Sequence, residues 1–143
     1  VWQEAQNIAL KIENRIPKEW SPKEEEGSVH YHQNFSEIPF DSGQWCILAR
    51  TNHIASHYAE LLEQEGWVYS RNVKNPRIKV STIHSMKGGE SDNVLVITDL
   101  SYASWKQYMK DPSEEHRVFY VAVTRAKKAL HIMEPTTRRF YEL

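Results

Sequence analysis

The apolar residues of this chain fall into short runs separated by polar turns, and these runs predict strands alternating with helices. Apolar-rich runs predict strands at 29–32, 45–49, 78–82, 93–99 and 129–133. Residues 2–14 and the segment that begins at Asn52 and ends at Gly66 space their apolar side chains by three and four residues, as helices with one buried face do. Asp111 and Pro112 predict the start of another helix, which continues to about residue 127. This alternation predicts an open, mainly parallel α/β sheet.

The length and composition predict one globular domain over residues 1–143. Of its residues, 40% are hydrophobic and 26% are charged, which excludes disordered and fibrous classes. Residues 1–27 are expected to form an N-terminal helix and an acidic linker, and residues 28–143 the sheet. The single cysteine, Cys46, excludes an internal disulfide, is interpreted as a core residue and fits a cytoplasmic location. No apolar stretch approaches the ~18 residues of a membrane span, and a first residue of Val suggests a piece of a longer protein.

Positive charge is unevenly distributed, although the formal net charge is only −1. Residues 71–87 contain five basic residues and no acidic one, and residues 117–139 contain a second basic group. Either block could be a solvated face, or could attract a polyanion.

Polar side chains follow the predicted strands, where ligands collect in open parallel sheets. Arg50 follows the run that ends at Ala49, and hydroxyls, an imidazole and two glycines follow the strand at 78–82. The helix after Pro112 contains Arg117 and Arg125, which are about 80° apart around an ideal helix and can point toward the same side.

Three segments resemble motifs of UvrD-, PcrA- and Rep-like superfamily 1 DNA helicases. VSTIHSMKGGESDNVLVI, at 80–97, resembles motif V; EEHRVFYVAVTRAKKALHI, at 114–132, resembles motif VI; and ILARTN, at 47–52, resembles the shorter motif IV. The resemblance implies a RecA-like second motor domain. Gly89 and Ser91 depart from the Leu and Phe that are usual in motif V, and the form of this loop is similar to phage and plasmid members.

The resemblance implies a role for each motif residue. Arg50 and Arg125 are expected to converge on one cleft as arginine fingers, which stabilise charge on the γ-phosphate during ATP hydrolysis. Glu90 is expected to accept a hydrogen bond from the ATP ribose, with Gly88 and Arg117 also in the nucleotide site. The residues expected to contact DNA phosphates are Thr82, His84, Ser85 and Lys87.

Simpler interpretations stand beside these roles. Arg50 could be a structural ion-pair partner, and Arg125 and Glu90 ordinary surface residues. Arg117 could form a salt bridge to the motif V loop, and His84 could be a core histidine. A metal site is not expected, because no second ligand lies at suitable spacing from His84. The aromatic candidates for base stacking are Tyr102, Trp105 and Trp67, whereas Tyr120 is more typical of a core position.

The implied function is that of the C-terminal motor domain of an ATP-dependent DNA helicase. The phosphate-binding motif G-x-x-x-x-G-K-[ST] is absent, so ATP and Mg²⁺ should be held mainly by a first motor domain upstream of Val1, and the chain alone should be inactive. The expected partners are that domain and single-stranded DNA, or a single/double-strand junction, in DNA repair or replication. Only 31 residues separate Arg50 from Thr82, which leaves no room for a large insertion between motifs IV and V. The alternative is a non-catalytic module, with a helicase-like fold, that binds nucleic acid or docks a partner.

Overall fold

The computed structural model of the chain describes residues 4, 5, 8, 27–69, 76–86 and 89–143. These residues form five strands: β1 (Ser28–His32), β2 (Trp45–Ala49), β3 (Ile78–Thr82), β4 (Ser91–Ile97) and β5 (Ala126–Met133). The helices are α1 (Asn52–Gln64), α2 (Tyr102–Lys110) and α3 (Ser113–Thr124), with a short 3₁₀ helix at Phe35–Glu37. None of the helices in the described part of the chain is both long and apolar enough to cross a membrane.

The five strands form one parallel sheet in the order β1-β5-β4-β2-β3. The predicted α/β class is therefore confirmed. Strands β2 and β4 are buried along most of their length, as expected for central strands of a parallel sheet that is covered on both faces.

Each face of the sheet has its own core. The first core contains Phe119 and Val123 of α3, packed against Val94 and Leu130 of the sheet. The second core lies on the other face, where Tyr58 and Leu62 of α1 pack against alternate strand residues such as Leu95. The alternation follows from the two-residue period of a strand, which directs successive side chains to opposite faces.

Most predicted elements are found, with shifts at their ends. The helix predicted to continue to about residue 127 ends at Thr124, because β5 begins at Ala126, three residues before its predicted start. Thr51 rather than Asn52 caps α1, since its hydroxyl accepts a hydrogen bond from the Ile54 N–H at 3.4 Å. Helix α2 was not predicted.

Part of the N-terminal prediction lies outside the described residues. Within the helix predicted at 2–14, Glu4, Ala5 and Ile8 are described and helical, and the two apolar residues are buried in the first core. Residues 9–26, which include most of the predicted acidic linker, are not described, and neither are residues 71–75 and Lys87 of the first basic block.

Candidate functional site

The predicted site residues that the structure describes lie at two opposite edges of the sheet, because all of its strands run in the same direction. Arg50 directly follows β2, and Thr82 is the last residue of β3, so both lie at the carboxyl edge. Glu90 directly precedes β4, and Arg125 directly precedes β5, so both lie at the amino edge. The structure therefore divides the predicted site into two groups.

The expectation that Arg50 and Arg125 converge on one cleft is wrong. Cys46, Val94 and Leu130 lie at the same level of the sheet. Arg50 is four residues beyond that level. Ser91 pairs with Ala126 across a β-bulge, so Arg125 is four residues before that level, and eight residues, or about 26 Å along the strand direction, separate their backbones. The physical reason is strand polarity: one arginine follows a parallel strand and the other precedes one.

Arg50 is held in an ion pair at the carboxyl edge. Its Nε donates to both Glu115 carboxylate oxygens, at 3.2 and 2.9 Å, and its Nη2 donates to Oε1 at 3.1 Å. Glu115, in the first turn of α3, is only 1% exposed, whereas its neighbour Glu114 is exposed and lies 4.0 Å from Nη2. Arg50 is therefore a structural ion-pair partner in this structure, as the simpler interpretation had it.

Glu90 and Arg125 are brought together at the amino edge. Ser91 pairs with Ala126 in the sheet, and the Ser91 N–H donates to the Arg125 carbonyl at 3.0 Å. Glu90 and Arg125 therefore directly precede the paired first residues of two adjacent strands. Glu90 is exposed and Arg125 partly exposed. The Arg125 Nε donates to the Val121 carbonyl at 3.3 Å, and no described residue accepts from its Nη atoms.

A groove of about 570 Å³ begins beside Glu90 and follows β3. Arg77 and Lys79 give one of its walls positive charge, and Ser81 and Ser85 contribute hydroxyls farther along. The Cys46 thiol also lines the groove, but burial raises its pKa to about 12, so it stays a protonated core thiol 3.5 Å from the Met86 sulfur. The groove thus combines the Glu90 carboxylate with nearby cations.

A compact turn at the carboxyl edge holds three of the predicted DNA contacts, Thr82, His84 and Ser85. The Thr82 hydroxyl donates to the Ser85 hydroxyl at 2.8 Å and accepts from the Ser85 N–H at 3.2 Å, so Thr82 is largely used in closing the turn. The Ile83 N–H donates to the Ala49 carbonyl at 2.9 Å, which fixes the turn beside Arg50. His84 and Ser85 are exposed, so the alternative of a core His84 is wrong. Two further predicted residues, Lys87 and Gly88, lie outside the described residues.

Arg117 does not accompany Glu90 and Arg125. It is exposed on α3, eight residues or about 12 Å along the helix axis from Arg125. The pKa of Asp111 is lowered mainly by hydrogen bonds from Ser113, and the Arg117 charge contributes a smaller part of that shift. Arg117 thus lies toward the carboxyl edge of the sheet.

Among the aromatic candidates, Tyr102 is the most exposed, at 53%. It begins α2 beyond the carboxyl end of β4, and the Arg139 guanidinium lies 4.8 Å from its ring centroid. Trp105 and Tyr120 are partly buried against the first core, and Trp67 is partly buried against the second. The Lys106 ammonium lies 5.7 Å from the same centroid, so Tyr102 is the most exposed aromatic candidate and also lies next to two cations.

Sequence reasoning missed a stack of three histidines, His30, His32 and His131, which we call the histidine stack. The His32 Nε2 and His131 Nδ1 atoms are hydrogen-bonded at 2.7 Å, and the His131 ring centroid lies 4.8 and 5.0 Å from those of His30 and His32. Burial, and then the charges of the other two histidines, lower the pKa of His131 to about 4. Among the described residues, no group of three or more His, Cys, Asp or Glu side chains could hold a metal ion. The His-x-His spacing of His30 and His32 is visible in the sequence, but the pairing of β1 with β5, which brings His131 beside them, is not.

The comparisons with known proteins agree with the motif resemblance. Residues 69–136, just under half of the chain, match the family model of the UvrD-like helicase C-terminal domain. The resemblance to UvrD-like helicases is confirmed. A solved structure described as the C-terminal domain of a possible DNA helicase from Lactobacillus plantarum WCFS1 shares the fold, with a TM-score of 0.61 and 16% sequence identity. The alignment covers 98% of this chain and 92% of that one. No curated protein matches the chain.

Proposed function

We propose that this UvrD-like domain is the second motor domain of an ATP-dependent DNA helicase or translocase, with nucleotide at its amino edge and single-stranded DNA at its carboxyl edge. The observation that carries the proposal is the adjacency of Glu90 and Arg125, fixed by the 3.0 Å hydrogen bond from the Ser91 N–H to the Arg125 carbonyl. The UvrD-like family match supports the helicase class.

At the amino edge, the proposed role of Arg125 is that of an arginine finger. Hydrolysis joins a water oxygen to the γ-phosphorus, releases a proton from that water and breaks the bond between the γ-phosphorus and the β–γ bridging oxygen. Negative charge therefore develops on the departing ADP and on the oxygens of the transferred phosphoryl group. A guanidinium that approaches the γ-phosphate stabilises this charge, an effect of roughly 10³–10⁵ in rate in other NTPases. The Nη donors of Arg125, which no described residue accepts, are available for that contact.

Glu90 is proposed to accept from the ribose hydroxyls, and Arg77 and Lys79 to add positive charge beside the nucleotide. Gly88 is also proposed to lie in the nucleotide site, on the basis of the motif resemblance. Most of the ATP contacts, and the Mg²⁺, belong in this proposal to a first motor domain. Arg50, which lies at the other edge, is no longer proposed as a finger.

At the carboxyl edge, the proposed DNA contacts are sequence-independent. The exposed His84 and Ser85 side chains can donate hydrogen bonds to phosphate oxygens. Lys87 is proposed, from the motif resemblance, to add positive charge beside them. Thr82 is proposed to act mainly by closing the turn that presents them. Tyr102 offers a face on which a base can stack, beside the positive charge of Arg139.

The test is ATP turnover by the full-length polypeptide that contains this domain. We expect Arg125→Ala to lower DNA-stimulated turnover by about 10³-fold while ATP still binds, because only a contact made in the transition state is lost. Lys128→Ala, which removes an exposed cation three residues away, is the matched control and should keep turnover. Near-normal turnover by Arg125→Ala would refute the proposed finger, and an inactive wild-type protein would favour the non-catalytic alternative.

A further inference from the structure

The ion pair between Arg50 and Glu115 joins the carboxyl end of β2 to the first turn of α3. The pair is bidentate, with three N···O distances between 2.9 and 3.2 Å, and the Glu115 side chain is 1% exposed. Paired donors fix the angle between a guanidinium and a carboxylate as well as their distance. The end of β2 and the first turn of α3 are therefore held in one orientation.

Helix α3 extends from this ion pair to the amino edge. It is 12 residues, or about 18 Å, long, and it is followed by Arg125 and then by β5. Seven of its residues are buried, and the Tyr141 ring stacks on Phe119 with centroids 4.3 Å apart. Because the helix is closely packed, a displacement of its first turn is transmitted to its last turn, where Arg125 lies.

The same arginine lies beside the proposed phosphate contacts. Ala49, which precedes Arg50, accepts the Ile83 N–H that anchors the turn carrying His84 and Ser85. The Arg50 side chain is 16% exposed, and no described residue accepts from its Nη1, which carries two N–H donors. A phosphate oxygen is the ligand that these two donors suit.

We propose that Arg50 is a positioning residue that couples DNA binding to ATP hydrolysis, by binding a DNA phosphate through Nη1 while its Nε and Nη2 hold Glu115. A bound phosphate fixes the guanidinium plane, the guanidinium fixes the first turn of α3, and α3 places Arg125 against the nucleotide. This inference rests on the proposed function and extends it, since it assigns the stimulation of hydrolysis by DNA to one ion pair.

The experiment measures the ratio of ATP turnover at saturating single-stranded DNA to turnover without DNA, in the full-length polypeptide. Glu115→Gln keeps the size of the side chain but removes the charge that holds the guanidinium. We expect this variant to lower the ratio by about tenfold without weakening the Kd for a fluorescent oligonucleotide, because DNA still binds but no longer orients α3. Glu114→Gln, the same change one residue away on an exposed side chain, should leave the ratio unchanged.

If the turnover ratio of Glu115→Gln equals that of the wild type, the coupling is overturned. It is also overturned if the ratio is lower but recovers at higher DNA concentrations, since the Arg50–Glu115 ion pair would then affect DNA binding alone. If Glu115→Gln does not fold, Arg50→Lys keeps the charge but not the bidentate geometry, and the same ratio decides. A wild-type protein without any DNA-stimulated turnover overturns the proposed function itself. A stimulated wild type with an unaffected Glu115→Gln variant overturns only the coupling.

Discussion

Acid should destabilise this fold through the histidine stack. His131 is 4% exposed, and its ring centroid lies 4.6 Å from that of Trp45. The His131 ring also stacks with the rings of His30 and His32. Protonation of its imidazole in this position places a charge in a buried site and next to two other titratable rings. Burial and these neighbours therefore hold the pKa of His131 at about 4 in the folded state, against 6.5 as the ordinary value.

The pKa difference gives the size and the pH range of the effect. Below pH 6.5 the unfolded chain binds a proton at His131 that the folded chain excludes, so the free energy of unfolding falls as the pH falls. The loss begins near pH 6.5 and is complete near pH 4. The 2.5 units between 6.5 and 4 correspond to about 3 kcal/mol, which is an upper value because structural relaxation reduces it.

The assay is urea denaturation at pH 7 and pH 4 of the wild type and of His131→Phe, which keeps an aromatic ring but cannot be protonated. Between these pH values the wild type should lose about 3 kcal/mol more than the variant. His53→Phe, at an exposed position in the first turn of α1, is the matched control and should lose as much as the wild type. Equal losses by the wild type and His131→Phe would refute the reasoning.

Three further substitutions test the fold by urea denaturation. Arg50→Ala leaves the buried Glu115 carboxylate without its partner and should lower the free energy of unfolding by about 3 kcal/mol. Glu114→Ala should lower it by at most about 0.5 kcal/mol, and similar losses for the two variants would show that the Arg50–Glu115 pair is not important for stability. Thr82→Val removes a hydroxyl that both donates to and accepts from Ser85, and should cost about 1 kcal/mol; no measurable change would contradict its role in closing the turn. Gly43→Ala should cost more than Gly66→Ala, since both backbones have positive φ but only the new Cβ at position 43 meets a neighbour, the Asn93 amide nitrogen at 2.7 Å; the reverse order would contradict the contact.

The sequence predicted the central sheet well because burial on both faces leaves a strong apolar signal. The predicted bounds of β2 and β3 agree with the structure. Helix α2 was missed for the opposite physical reason: none of its residues is buried, so no apolar stripe marks it. The start of β5 was placed too late because Lys127 and Lys128 are exposed and interrupt the apolar run.

The sequence indicated which residues belong to the candidate site but not where the fold places them. Motif resemblance selected Glu90 and Arg125, which the sheet brings together, and His84 and Ser85, which the turn exposes. Arg50 follows a parallel strand and Arg125 precedes one, so the sheet polarity alone places them at opposite edges. The Arg50–Glu115 and His32–His131 contacts join residues 65 and 99 positions apart, and no local pattern in the chain predicts such pairs.

The separation of the two edges is tested most directly by a single titration of ATP turnover against single-stranded DNA in the full-length polypeptide. Arg125→Ala should lower the turnover reached at saturating DNA without changing the DNA concentration that gives half of it. The double change His84→Ala with Ser85→Ala should raise that concentration and leave the saturating turnover unchanged. Two variants that alter the same parameter would contradict the assignment of nucleotide and DNA to opposite edges of the sheet.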